Sequence, residues 1–170
     1  YEIGVRLVGS EMCIETGIEA CIENVVQKYQ FPNVQLGLEI TEQDALSSSI
    51  DITKKIEALK AKGHRFLIDD FGMGHTSLVY LQTKYFNIVK LDGSLTRDVI
   101  HNETNRDIIA SIVYLGRSLK FKIIAEYVEN EAQRDELKKL GCDAFQGYLY
   151  SKPIKLDELM SWIKGSGHES

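Results

Sequence analysis

The stretch Phe66-Leu67-Ile68-Asp69-Asp70-Phe71-Gly72-Met73-Gly74-His75 reads as a buried strand that ends in two adjacent carboxylates and opens into a glycine-rich loop. The same plan recurs along the chain. Glu39 stands in Leu36-Gly37-Leu38-Glu39-Ile40-Thr41-Glu42, and Lys90 and Asp92 close Ile88-Val89-Lys90-Leu91-Asp92. Glu126 closes Ile123-Ile124-Ala125-Glu126, and Gln146 stands in Ala144-Phe145-Gln146-Gly147-Tyr148. One carboxylate at a strand end is ordinarily a helix N-cap or a surface ion pair. Successive strands that all end in polar residues assemble a polar site at one end of a sheet or barrel.

Outward from these runs, strand and helix patterns alternate. Strands are predicted over 3–8, up to 41, 65–70, 87–92, 122–128 and 144–150. Helices are predicted over 15–29, 50–62, 77–81, 104–119, 131–140 and 156–163, with Gly63 and Gly141 as C-terminal stops and 165–170 as a flexible tail. Consecutive βα units imply a parallel sheet with helical crossovers. An open doubly wound sheet gathers ligands at one switch point. A (β/α)8 barrel brings the ends of all its strands to one mouth. The polar strand ends favour the barrel. About six units are visible and a barrel needs roughly two more, so N-terminal strands are expected upstream of Tyr1. The absence of an initiator Met fits a piece of a longer chain.

With 170 residues, 44% hydrophobic and 26% charged, the chain has the composition of one globular domain. A formal net charge of −5 argues against a binder of nucleic-acid polymer, which is normally basic. It leaves room for a nucleotide ligand whose phosphates are neutralised by cations. Cys13, Cys21 and Cys142 are too scattered for a disulfide framework or a zinc site, so a reducing, cytoplasmic setting is expected. No apolar stretch has the length of a membrane span, and no signal peptide is visible.

Two adjacent carboxylates repel one another unless cations or donors lie between them. Asp69 and Asp70, with Glu39 one strand earlier and Glu126 two strands later, supply oxygens enough for two divalent ions of the Mg²⁺ or Mn²⁺ class. Such a pair would clamp a phosphodiester and activate a water. Lys90, flanked by apolar residues, is expected to point inward beside the carboxylates; an ion pair that only braces the barrel mouth is the plainer alternative. Gly72 and Gly74 lack the Lys and Ser/Thr of a phosphate loop and instead permit a tight turn beside the ligands.

In order and at strand ends, Leu38-Glu39-Ile40-Thr41-Glu42, Asp69-Asp70-Phe71-Gly72-Met73-Gly74, Val89-Lys90-Leu91-Asp92, Ala125-Glu126-Tyr127-Val128-Glu129 and Gln146-Gly147-Tyr148 resemble the motifs of the EAL-domain family. That family consists of bacterial cyclic di-GMP phosphodiesterases and of degenerate relatives that bind or regulate. The resemblance implies a (β/α)8-type barrel with one antiparallel strand, two Mg²⁺ or Mn²⁺ ions, and hydrolysis of cyclic di-GMP to linear pGpG. It implies that Glu39, Asp69, Asp70 and Glu126 are metal ligands, with Lys90 beside the catalytic water and Glu126 also a general base. Gln146 and Asp92 would orient the site, and Glu42 and Glu129, with Gly72 and Gly74, would support the loop after Asp70. On this resemblance 1–164 is an N-terminally incomplete EAL domain, expected to pair as a homodimer through its barrel and to follow an upstream sensory or membrane domain, as the cytoplasmic part of a larger, membrane-attached protein.

The sequence departs from the family at named places. The Glu-Ala-Leu tripeptide would lie upstream of Tyr1. Arg6 stands where the family usually has a metal-binding Asn, and an arginine cannot ligate a cation. Met73, His75 and Tyr127 replace a usual Thr, Tyr and Gly. These departures support the alternative of a degenerate cyclic di-GMP sensor or protein-interaction module.

Overall fold

The structure is a computed structural model that describes residues 37–41, 50–72 and 86–154. The chain order of elements is β1 (Gly37–Thr41), α1 (Ile50–Ala61), β2 (Arg65–Phe71), β3 (Ile88–Leu91), α2 (Gly93–Thr96), α3 (Glu103–Leu119), β4 (Lys122–Ala125), α4 (Glu131–Leu140) and β5 (Ala144–Phe145). The predicted strand over 3–8, the helices over 15–29, 77–81 and 156–163, the tail over 165–170, and Arg6, Glu42 and Gly74 lie outside the described residues.

The five strands form one sheet in the order β1-β2-β3-β4-β5, and every pair is parallel. Spatial order equal to chain order means that the sheet winds in one direction. A doubly wound sheet reverses its order at the switch point, and no reversal occurs among these strands. The described part is therefore the wall of a barrel-type sheet rather than an open nucleotide-binding sheet. The antiparallel strand implied by the resemblance is not among the described pairs.

Register assigns the faces. Glu39 pairs with Leu67, Thr41 with Asp69, Leu67 with Ile88, and Lys90 with Ile124. Paired residues share a face, so these side chains line the inner surface. The alternate residues Leu38, Ile68, Val89, Leu91, Ile123 and Ala125 join Ile56, Leu59, Ile109, Val113 and Leu137 of the helices in one buried core. Each such Leu, Ile or Val contributes about 1.5–3 kcal/mol by leaving water. This outer core fixes the strands and so the direction of every inward side chain.

The helix boundaries have local causes. Asn102 caps α3 by accepting from Asn105 N, and Lys120 ends it in the left-handed region. Asn130 and Gln133 form a reciprocal capping box on α4, which stops at Gly141 (φ 102°). The turn α2 was not expected from the hydrophobic pattern. It forms because the Asp92 side chain accepts from Ser94 N at 2.7 Å and caps it.

Strands β4 and β5 are shorter than the predicted 122–128 and 144–150. Tyr127 has φ 55°, which turns the chain off β4 directly after Glu126. Gly147 lies against the returning segment: Val128 N donates to Gln146 O at 3.0 Å, and Leu149 N donates to Val128 O at 3.0 Å. A Cβ on Gly147 would meet the backbone N, C and O of Val128, all closer than 3.0 Å.

Two predictions follow from packing. Gly147→Ala is expected to destabilise the protein by roughly 3 kcal/mol, because backbone cannot yield as a side chain does. A urea unfolding midpoint within error of the parent would contradict this. Cys142 is buried, and burial together with the Asp143 charge pushes its thiol up to about 12. Iodoacetamide at about pH 8 should label Cys142 only after denaturation, as read by peptide mass spectrometry; rapid labelling of the native protein would contradict the packing.

Candidate metal and phosphodiester site

Lys90 extends from the inner face of β3 and is 2% exposed. Its Nζ lies 2.7 Å from Glu126 Oε1, 3.0 Å from Glu39 Oε2 and 3.0 Å from Asp69 Oδ1. Three carboxylates from β1, β2 and the end of β4 thus meet on one ammonium. Burial alone would pull the lysine pKa down. The hydrogen bond to Glu126 and the charges of Glu39, Glu126 and Asp69 outweigh it, holding Lys90 above its ordinary 10.5. Lys90 is a fixed positive charge. Glu126 moves up from the usual glutamate range: burial pushes it up, Lys90 opposes, and Asp69 and Glu39 add repulsion.

A local irregularity brings Asp70 to the same place. Ile68 pairs with Val89 and Phe71 with Leu91, so Asp69 and Asp70 together stand opposite the single residue Lys90. This is a β-bulge, and Asp70 takes φ 55° within it. In a regular strand, consecutive side chains point to opposite faces, and Asp70 would enter the apolar core. The bulge instead leaves carboxylate oxygens of Asp69, Asp70 and Glu126 within 4.8 Å of one another. Asp69 Oδ1 accepts from Asp70 N at 3.1 Å, which ties the bulge to the site.

These donors fit a hard divalent cation. All are carboxylate oxygens, with no His or Cys in the group. Among the described residues, three carboxylates pair with the one Lys90 ammonium, a formal excess of two negative charges. Among the described residues, the buried Glu39 Oε2 has no hydrogen-bond partner, although Lys90 Nζ lies 3.0 Å away. That contact is Coulombic without hydrogen-bond alignment, so the oxygen keeps a free acceptor direction.

The other expected site residues are placed differently. The Asp92 carboxylate serves the α2 cap; burial would raise its pKa, but bonds from Ser94 and Gly93 and the Arg97 charge hold it below the usual range. Gln146 is exposed at the end of β5, where its backbone joins Ala125 O and Val128 N. Glu129 is exposed, and its amide donates to Gln133 Oε1 at 2.8 Å. Gly72 has φ 108° as the chain leaves β2.

Two buried polar residues beside the site were not singled out from the sequence. Thr96 Oγ1 donates to the Glu126 carbonyl at 2.6 Å. Gln133 accepts from Glu129 N and Asn130 N and donates to Arg97 O at 2.8 Å. The spacing Asn130-x-x-Gln133 is a readable capping signature. Thr96 has no such local signal, because its partner is 30 residues away.

Comparison with known proteins agrees with this geometry. The family model described as EAL domain matches residues 1–153. The chain is 36% identical over 164 residues to the cyclic di-GMP phosphodiesterase PdeF of Escherichia coli K12, covering 96% of this chain and 22% of that protein. It is 34% identical over 163 residues to the bifunctional diguanylate cyclase/cyclic di-GMP phosphodiesterase MucR of Pseudomonas aeruginosa, covering 96% and 24%. The chain thus spans less than a quarter of the length of these relatives. Among solved structures, the MucR phosphodiesterase in complex with c-di-GMP superposes with a TM-score of 0.79 at 34% identity, covering 93% of this chain and 64% of that one. The manganese/cy-diGMP complex of Klebsiella pneumoniae BlrP1 gives 0.73 at 25% identity, covering 90% and 39%. The inward carboxylates and lysine of a one-way parallel barrel wall, and a family match over residues 1–153, lead to one conclusion: the chain belongs to the EAL domain family.

Proposed function

We propose that this domain hydrolyses one phosphodiester bond of cyclic di-GMP to give linear pGpG, using two divalent cations, Mg²⁺ or Mn²⁺. The observation that carries the reading is the convergence of Asp69, Asp70 and Glu126 beside Glu39 and a buried, protonated Lys90. Glu39, Asp69, Asp70 and Glu126 would hold the cations. Cations held there would supply neutralisation of phosphate oxygens and a lowered pKa for a water nucleophile.

The chain's own groups divide the remaining work. Lys90 keeps its proton and offers a fixed positive charge to a phosphate oxygen or to the attacking water. Glu126, lifted toward neutrality by burial, is suited to take the proton of that water. A bond from the water oxygen to phosphorus forms, and the bond from phosphorus to the ribose 3′ oxygen breaks. The 3′ oxygen gains a proton, and the phosphate stays on the 5′ side. Gln146, Asp92, Glu129 and Gly72 serve in this reading as framing and loop-supporting residues.

The reading extends to the whole protein. Residues 1–164 form one domain of a longer cytoplasmic signalling protein, which receives input from an upstream sensory domain and pairs through its barrel. Among the described residues no helix is long and apolar enough to cross a membrane. The competing reading, a non-catalytic sensor, draws on Tyr127. Its ring lies over the Cβ-less face of Gly93, so this departure is accommodated locally.

Asp69→Asn is expected to abolish release of pGpG from cyclic di-GMP with Mn²⁺, measured by chromatography on the protein with its natural upstream sequence. Unchanged turnover would sink the assignment, and a folded parent that binds cyclic di-GMP without product would favour the sensor. Lys90→Met leaves the carboxylates without their cation and should cost the metal-free protein about 3 kcal/mol. Its stability should rise as the pH falls from about 7 toward about 5, because Glu126, already held up by burial and by the Asp69 and Glu39 charges, loses the opposing Lys90 and binds a proton more readily folded than unfolded. A pH-independent melting temperature in the metal-free variant would contradict the charge balance.

A further inference from the structure

Glu126 is followed directly by a strained residue. Tyr127 is a non-glycine at φ 55°, a left-handed conformation that L side chains disfavour. The peptide between them presents the Glu126 carbonyl to Thr96 Oγ1 at 2.6 Å, and Thr96 is fully buried. Rotation of that peptide would relieve Tyr127 but would withdraw the carbonyl from its buried donor. Leaving that buried acceptor unsatisfied carries a desolvation penalty comparable to the strain or greater. The two effects oppose each other at the residue whose carboxylate meets Lys90 and lies with Asp69 and Asp70.

The surroundings make this a seat for the strained conformer. The Tyr127 ring occupies the face of Gly93 where a Cβ would collide with it, and the Arg97 guanidinium stands 4.1 Å from the ring centroid. Gln133 then ties Arg97 O to the amides of Glu129 and Asn130. The turn 93–97 is therefore braced against both ends of the segment that carries Glu126.

We propose that Thr96 is a positioning residue for the phosphodiester site. Its hydroxyl holds the Glu126–Tyr127 peptide in the orientation that aims the Glu126 carboxylate at Lys90 and at the carboxylates of Asp69 and Asp70. This inference rests on the phosphodiesterase reading for its catalytic consequence, but not for its effect on metal binding. Support from the second layer around a metal site is typically worth about 10–100-fold in affinity or activity.

The test compares Thr96→Val and Thr96→Ser in the full-length protein. Thr96→Val is expected to lower kcat about 10–100-fold with little change in KM for cyclic di-GMP, and to weaken Mn²⁺ binding by a similar factor in calorimetry. Thr96→Ser, which keeps the hydroxyl, is expected to stay within about threefold of the parent on both readouts. In a Tyr127→Gly background, where φ 55° carries no strain, the Thr96→Val loss is expected to shrink, a coupling that general loss of stability would not produce. Should Thr96→Val fail to fold, Thr96→Ala is read in the same way. Equal losses in the two backgrounds, or unaltered Mn²⁺ affinity in folded Thr96→Val, overturn the proposal. If the parent shows no turnover, the phosphodiesterase reading fails, and the Mn²⁺ titrations alone still decide the role of Thr96.

Discussion

A single buried ammonium organises the mouth of this sheet. Lys90 reaches Glu39, Asp69 and Glu126 at once, and each comes from a different segment. A lysine on an inner barrel face could not remain there alone, since desolvation of an unpaired charge costs several kcal/mol. The carboxylates could not gather alone either, because their repulsion would drive them to neutrality. Each side makes the other tolerable. Among the described residues the carboxylates paired with Lys90 outnumber it, and that surplus is what the proposed cation site draws on; a closed structural ion pair would have none.

The fold delivers these groups by breaking its own rules at two points. Asp70 and Tyr127 are both non-glycine residues at φ 55°, and both flank the cluster. The first allows two consecutive aspartates to serve one face. The second stops β4 so that Glu126 stands at the end of the strand rather than within it. Strain concentrated at such positions persists only where the surroundings over-determine it. Here the outer core under β2 and β3 and the Thr96, Gly93 and Gln133 contacts behind Tyr127 provide that support.

The gathering of polar groups was legible in the residues, because successive apolar runs end in Glu39, Asp69-Asp70, Lys90 and Glu126. A lysine with apolar neighbours on either side must point inward or snorkel outward, and the register of β1 to β4 settles it inward with Glu39 and Glu126. The choice between barrel and open sheet needed the strand order, which depends on contacts between segments far apart in sequence. The early end of β4 was hidden because Tyr127-Val128 has ordinary strand composition and its backbone angle is set by the turn packed against it. Asp92 looked like a member of the strand-end series, but a cap at Ser94 claims its carboxylate. Thr96 carried no pattern at all, since its value lies in one hydrogen bond across 30 residues.

The central claim is that the cluster around Lys90 is a seat for divalent cations. The most direct measurement is a crystal structure of the protein grown with Mn²⁺, with anomalous difference density collected near the manganese edge. The account predicts Mn²⁺ peaks ligated by carboxylate oxygens of Asp69, Asp70, Glu39 and Glu126, with Lys90 Nζ nearby and not itself a ligand. Density without manganese at full saturation, with Lys90 still bridging Glu39, Asp69 and Glu126, would contradict it and leave the cluster as a structural ion pair.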